Sequence, residues 1–171
     1  IMATRKTPTS ARRKRTPRRT PTKSTRNTTI QAEKVKTFNT AVRYLLEHTD
    51  LERVRSVKYT DETFKLDRMA ALLNGLGNPQ DSVRVAHVAG TVGKGSMVAM
   101  VASILQNAEF TVGTFTSPHL TDIRERITIN GEMIDKASFA TLTADVGKTA
   151  DKSAPEATYF ELLTGMALRH F

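Results

Sequence analysis

The residues best suited to chemistry lie in one short run, Gly90-Thr91-Val92-Gly93-Lys94-Gly95-Ser96. Glycines at 90, 93 and 95 let backbone amides turn inward without Cβ clashes. Those amides, with the positive end of a following helix, suit an anionic phosphate. Lys94 adds a point charge for the outer phosphates, and a hydroxyl just after such a lysine can meet phosphate or magnesium. The spacing departs from a strict Walker A motif. The earlier glycine would fall at Val88, and Gly95 separates Lys94 from the hydroxyl of Ser96. A bland alternative is a glycine turn with an exposed lysine.

Flanking elements decide between these two. Val83-Arg84-Val85-Ala86-His87-Val88 is β-branched and reads as a short buried strand. Ser96 to Ala108 reads as a helix rich in Ala, Val and Met, and Thr111 to Phe115 as a second strand. Strand, glycine loop, helix and strand form a βαβ unit, which predicts a mostly parallel sheet with a right-handed crossover. Ligands of such sheets bind beyond the carboxyl ends of the strands, where this loop sits. Upstream, Val35, Phe38, Val42, Leu45 and Leu46 mark one helix face. Leu66, Met69, Leu72, Leu73 and Leu76 mark a second helix, stopped by Gly77 and Pro79. Residues 49–62 read as a polar loop, and 137–150 and 159–171 as helices. The fold class is therefore α/β.

The chain has 171 residues, 39% hydrophobic, with no cysteine and a net charge of +9. Lack of cysteine excludes disulfides, thiolate metal sites and a cysteine nucleophile, and fits a reducing, cytoplasmic setting. No apolar run approaches membrane-spanning length. The charge is uneven. Residues 1–30 hold 10 Lys/Arg and no acid, whereas 31–171 hold 16 Lys/Arg against 17 Asp/Glu. The first segment, rich in Thr, Pro, Arg and Lys, reads as a disordered basic tail. It could attract nucleic acid nonspecifically, but no aromatic residue is interleaved for base stacking. The near-neutral remainder is one folded unit over 31–171 and not itself a polyanion-binding surface.

Beyond these local readings, His87-Val88-Ala89-Gly90-Thr91-Val92-Gly93-Lys94-Gly95-Ser96 resembles the phosphate loop of folylpolyglutamate synthases and dihydrofolate synthases, relatives of the Mur ligases. Thr116-Ser117-Pro118-His119-Leu120, Arg124-Glu125-Arg126-Ile127, Asn130-Gly131 and Thr158-Tyr159-Phe160-Glu161 match in order, as do Leu66-Asp67-Arg68-Met69 and Leu76-Gly77-Asn78-Pro79 upstream. The likeness runs over roughly residues 40–171. It implies the amino-terminal part of a P-loop-type ATPase domain, with a smaller glutamate-ligase domain expected beyond Phe171. It also implies ATP-dependent ligation of L-glutamate to a folate or dihydropteroate carboxylate through an acyl phosphate. ATP and Mg²⁺ would be required, and a monomer is expected.

Residue by residue, the resemblance implies that Gly93, Lys94, Gly95 and Ser96 hold the ATP phosphates, with Lys94 neutralising most of the charge. Ser117 and Glu161 would be magnesium ligands, in keeping with that ion's preference for oxygen. Without the resemblance, Ser117 before a proline reads as a turn residue and Glu161 as an acid favoured at a helix start. Arg124 and Arg126 would meet substrate carboxylates, or else form a local charge lattice with Glu125. Asp61, Glu62, Thr63 and Phe64 would lie near the pterin. His119 is expected to be a hydrogen-bonding scaffold. Val92 replaces the asparagine usual at this place in the family, and valine cannot make that side chain's hydrogen bonds. Because the resemblance places further site residues and the glutamate-ligase domain beyond Phe171, the segment alone is expected to bind ATP weakly or not at all and to ligate poorly. A different Mur-type ligase, a noncatalytic relative and a nucleic-acid-binding protein acting through the tail remain as alternatives.

Overall fold

The computed structural model describes residues 30–48, 50 and 66–171. The basic tail over 1–29 and the segment Asp61, Glu62, Thr63 and Phe64 lie outside these residues. Among the described residues, five α-helices and three short strands follow in chain order: α1 (Phe38–Leu46), α2 (Leu66–Gly75), α3 (Lys94–Asn107), β1 (Gly113–Phe115), β2 (Ile127–Ile129), β3 (Glu132–Met133), α4 (Lys136–Ser153) and α5 (Tyr159–His170). None of the described helices is long and apolar enough to cross a membrane.

The helices begin where local chemistry allows. Thr37 caps α1 by accepting from the amide of Thr40, whose hydroxyl in turn accepts from the amide of Thr37. Asp135 caps α4 by accepting from the amides of Ala137 and Ser138. These bonds favour the ionised acid and hold the Asp135 carboxyl below its usual range, Ser138 contributing most. Gly77, with φ of 81°, follows α2 at the predicted stop.

The core is built mainly from helices. Phe139, Ala140, Thr143, Val146, Gly147 and Ala150 of α4 are buried, as are Tyr159, Leu162, Leu163, Met166 and Ala167 of α5. Ala41, Tyr44 and Leu45 of α1, Leu72 of α2 and Ile127 of β2 join them, with Ala32, Val35, Ile123 and Ile134 from the connecting segments. Tyr44 is more central than the sequence suggested, and Leu46 faces outward at 49% exposure. The Tyr44 hydroxyl is buried without a hydrogen-bond partner, and burial pushes it up to about 12, helped by nearby Asp151. Gly147 marks a close approach. A Cβ there would stand 2.8 Å from the Tyr44 hydroxyl and 2.9 Å from the Ala32 Cβ.

The sheet differs from the parallel one anticipated. Its order is β1-β2-β3 and both pairings are antiparallel, with Thr114 opposite Thr128 and Ile129 opposite Glu132. Asn130-Gly131 turns β2 into β3 with φ of 52° and 84°, the left-handed pair that a tight hairpin needs. Residues 83–88 carry no regular secondary structure, and Val85 is 66% exposed. A strand needs a ladder partner, and among the described residues that run has none. Helix α3 behaves alike: only Ala102 is buried, while Met97, Met100 and Ile104 are largely exposed. A helix apolar on every side belongs inside a larger body.

Candidate functional site

The glycine loop reaches α3 through Gly93, whose φ of 80° and ψ of 0° are left-handed. An added Cβ would meet nothing within 4 Å, so glycine is demanded here by the backbone angle and not by space. No side chain caps α3. The first amides of the helix therefore point outward without an intrahelical partner, as an anion requires. Lys94 folds back over the loop. Its Nζ donates to the carbonyl of Gly90 at 2.8 Å and lies 3.5 Å from that of Thr91. Residues 89–97, Ser96 and Val92 among them, are exposed.

Ser117 lies just beyond β1, in an exposed segment whose Ser117–Pro118 peptide is cis. The loop from 116 to 126 is organised by its own charges. The Glu125 carboxylate accepts from the amides of Leu120 (2.8 Å), Thr121 (3.0 Å) and Asp122 (2.8 Å) and from the Thr121 hydroxyl (2.7 Å). Those donors, the Leu120 amide foremost, lower its carboxyl to about 2. Arg124 donates to both Asp122 oxygens, at 2.8 Å to Oδ2 from Nη2, and its guanidinium stands 5.5 Å from the Phe38 ring centroid. The same contact draws the Asp122 carboxyl down. Arg126 is buried at 2% exposure. Its Nε donates to His119 Nδ1 at 2.8 Å, and its guanidinium lies over Tyr159 at 5.5 Å. Both arginines are engaged within the chain.

Glu161 opens α5. Its Oε2 accepts from the Thr158 amide at 2.7 Å, while the Thr158 hydroxyl accepts from the Glu161 amide at 3.3 Å. This is a complete capping box. Arg68, on α2, places Nη2 3.4 Å from Oε1 and Nε 3.5 Å from Oε2 of the same carboxylate. The Glu161 side chain is 15% exposed.

Two contacts draw the exit of β1 and the start of α5 together. Phe115 and Phe160 stand with ring centroids 5.6 Å apart, and Arg126 touches both His119 and Tyr159. The segments bearing Ser117 and Glu161 are thus neighbours. Helix α3 packs along β1. Among the described residues, no hydrogen bond or ion pair joins Lys94 to Ser117 or Glu161. No group of three or more His, Cys, Asp or Glu side chains gathers as a metal cage among the described residues. The oxygen donors present instead fit an ion that keeps few protein ligands and takes the rest from water and phosphate. The sequence alone assigns Arg68 no site role. Its signal was its place in Leu66-Asp67-Arg68-Met69, a motif to which no site role is attached in sequence.

No family model matches the chain. In sequence it is 40% identical over 106 residues to a dihydrofolate synthetase of Saccharomyces cerevisiae, covering 62% of this chain and 25% of that protein. It is 41% identical over 110 residues to a dihydrofolate synthase/folylpolyglutamate synthase of Bacillus subtilis, covering 62% of this chain and 26% of that one. In structure it aligns with a folylpolyglutamate synthase of Thermotoga maritima at a TM-score of 0.66 and 31% identity, over 78% of this chain and 30% of the other. An FPGS–AMPPCP–folate complex aligns at a TM-score of 0.68 and 31% identity, over 78% of this chain and 32% of the other. The chain spans about a quarter of the length of the curated relatives it matches. Its relatives in sequence and fold are folylpolyglutamate and dihydrofolate synthases, and the likeness covers their amino-terminal part.

Proposed function

We propose that this chain supplies the nucleotide-binding part of an ATP-dependent ligase that joins L-glutamate to a folate or dihydropteroate carboxylate. The observation that carries the reading is the meeting of the β1 exit loop with the capped start of α5, next to a helix entered through an uncapped glycine loop. A relative of the same fold has been seen with AMPPCP and folate together.

A carboxylate is a poor acyl donor because oxide would have to leave. Attack of a carboxylate oxygen on the γ-phosphorus of ATP forms an acyl phosphate and releases ADP. The glutamate amine then attacks the acyl carbon, phosphate departs, the nitrogen loses a proton and an amide remains. Protein groups chiefly position the anions and offset charge on the transferred phosphoryl group. Gly93, Gly95 and Ser96 offer amides, and Lys94 is the mobile cation. It would exchange its bonds to the Gly90 and Thr91 carbonyls for phosphate oxygens. Ser117 and Glu161 would hold Mg²⁺, which when bound offsets phosphate charge. Glu161 would have to loosen its contact with Arg68 to do so. For Asp61, Glu62, Thr63 and Phe64, which precede α2 in sequence, the family resemblance supports a role near the pterin. Arg124 and Arg126 organise the loop, Arg124 through Asp122 and Arg126 through His119, beside the substrate-carboxylate role that the resemblance implies for them. In the whole protein, Val83–Val88 takes its place in a mostly parallel sheet, which also covers α3.

Titration of the ¹⁵N-labelled chain with Mg²⁺ and AMPPCP tests the reading. Amide shifts are expected at Gly93, Lys94, Gly95 and Ser96 at millimolar nucleotide, and Lys94→Ala should abolish them. Undisturbed amides across residues 90–96 would refute it. For the whole protein, dihydropteroate, tetrahydrofolate and a muramyl peptide, each offered with ATP and glutamate, separate a folate ligase from a cell-wall ligase.

A further inference from the structure

We propose that Arg126 is the positioning residue for the Ser117 hydroxyl, clasping the loop on both sides of it and tying that clasp to the start of α5. The proposal rests on Ser117 being a metal ligand. On the amino side of Ser117, the Thr116 amide donates to the Arg126 carbonyl at 3.1 Å. On the carboxyl side, Arg126 Nε donates to His119 Nδ1 at 2.8 Å. One residue thereby grips the loop by backbone and by side chain, with only Ser117 and Pro118 between the two points.

A guanidinium has no acceptor, so His119 Nδ1 must offer its lone pair and the imidazole proton sits on Nε2. The third contact is the Tyr159 ring, 5.5 Å from the Arg126 guanidinium and two residues before Glu161. The two proposed metal ligands are thus indexed to the same buried cation. Labour along the loop is divided between adjacent residues: Glu125 gathers the amides from Leu120 to Asp122, and Arg126 holds Thr116 and His119. Arg126 is 2% exposed. A buried cation is costly unless its donors find partners, so a filler of this site would more cheaply be apolar. The geometry points to orientation of the loop as the return for that cost.

The test follows Mn²⁺ with ATP on the ¹⁵N-labelled 171-residue chain, reading paramagnetic broadening of the Ser117 and Glu161 amides. The wild type should broaden at both. Arg126→Gln and His119→Ala should each need about 10- to 100-fold more Mn²⁺ for the same broadening, the usual effect of removing a partner that orients a metal ligand. Arg126→Lys, which keeps a donor, should recover part of the loss, and Ser117→Ala should reproduce it. Val146→Ala, a core change remote from the loop, should lower the melting temperature and leave the Mn²⁺ midpoint in place. If Arg126→Gln folds and keeps the wild-type midpoint, or if the ¹⁵N shift of His119 shows a proton on Nδ1, the proposal fails while the metal site stands. If the wild type shows no broadening at Ser117, the metal reading fails and the proposal with it.

Discussion

Single residues in this molecule do their work by where their charges are spent. Glu125 is the clearest case, since four donors converge on one carboxylate and lower it from 4.5 to about 2. A folded-state value below the unfolded one means that its contribution is complete above the unfolded value and disappears as pH falls toward the folded one. Order in Leu120–Asp122 should therefore hold above pH 4.5 and decline between 4.5 and about 2. Amide exchange of these three residues across that range measures it. Glu125→Gln should show rapid exchange at neutral pH with no further acid step, and an unchanged acid step in that variant would assign it to another carboxylate. The sequence carried Arg124, Glu125 and Arg126 as a charged cluster, but not which charge faced which partner. Asp122 and Arg124 are two residues apart, whereas Arg68 and Glu161 are 93 apart. Only the second pairing depends wholly on the chain's path through space.

Among elements, apolar periodicity served well for long helices. Apolar spacing, with the stop at Gly77 and Pro79, placed α1, α2, α4 and α5 close to their observed bounds. The hairpin was legible and went unread. Asn130-Gly131 is a strong turn signal, but strands of three and two residues leave little alternation around it. Close packing between elements was invisible, because a glycine inside a helix looks merely unfavourable from sequence. Gly147 shows what it permits, with α1 and α4 approaching across it. Gly147→Ala should gain helix propensity yet lose about 1–3 kcal/mol overall, since the new methyl must displace Tyr44 and Ala32. Chemical denaturation measures the balance, and a stabilised variant would show that α1 can yield without cost.

At the scale of the whole molecule, the glycine loop lies apart from the core, whereas Glu161 sits on a core helix. Apolar burial is concentrated where α1, α4 and α5 meet, and the glycine loop and α3 stand outside it. Leu162, 1% exposed, should cost about 2–5 kcal/mol as Leu162→Ala. Ile104, 68% exposed on α3, should change stability by no more than about 0.5 kcal/mol as Ile104→Lys. Urea midpoints of the two variants check the division, and equal losses would mean that α3 belongs to the same cooperative unit. The expected parallel sheet did not emerge because local sequence can propose a strand but cannot provide its neighbour. Val83–Val88 has the composition of a buried strand and no ladder among the described residues.

By itself the sequence carried the glycine loop with its lysine, the apolar periodicity of the helices, the concentration of basic residues in 1–30, and the likeness to folate ligases. These depend on residue type and short spacing, which the linear chain carries directly. Tertiary structure decided that Arg126 is buried against His119 and Tyr159, that Arg68 meets Glu161, and that the segments bearing Ser117 and Glu161 are neighbours. Each of those outcomes joins groups from different elements. Such contacts exist only once helices and strands have packed, because burial and charge pairing act through space and not along the chain.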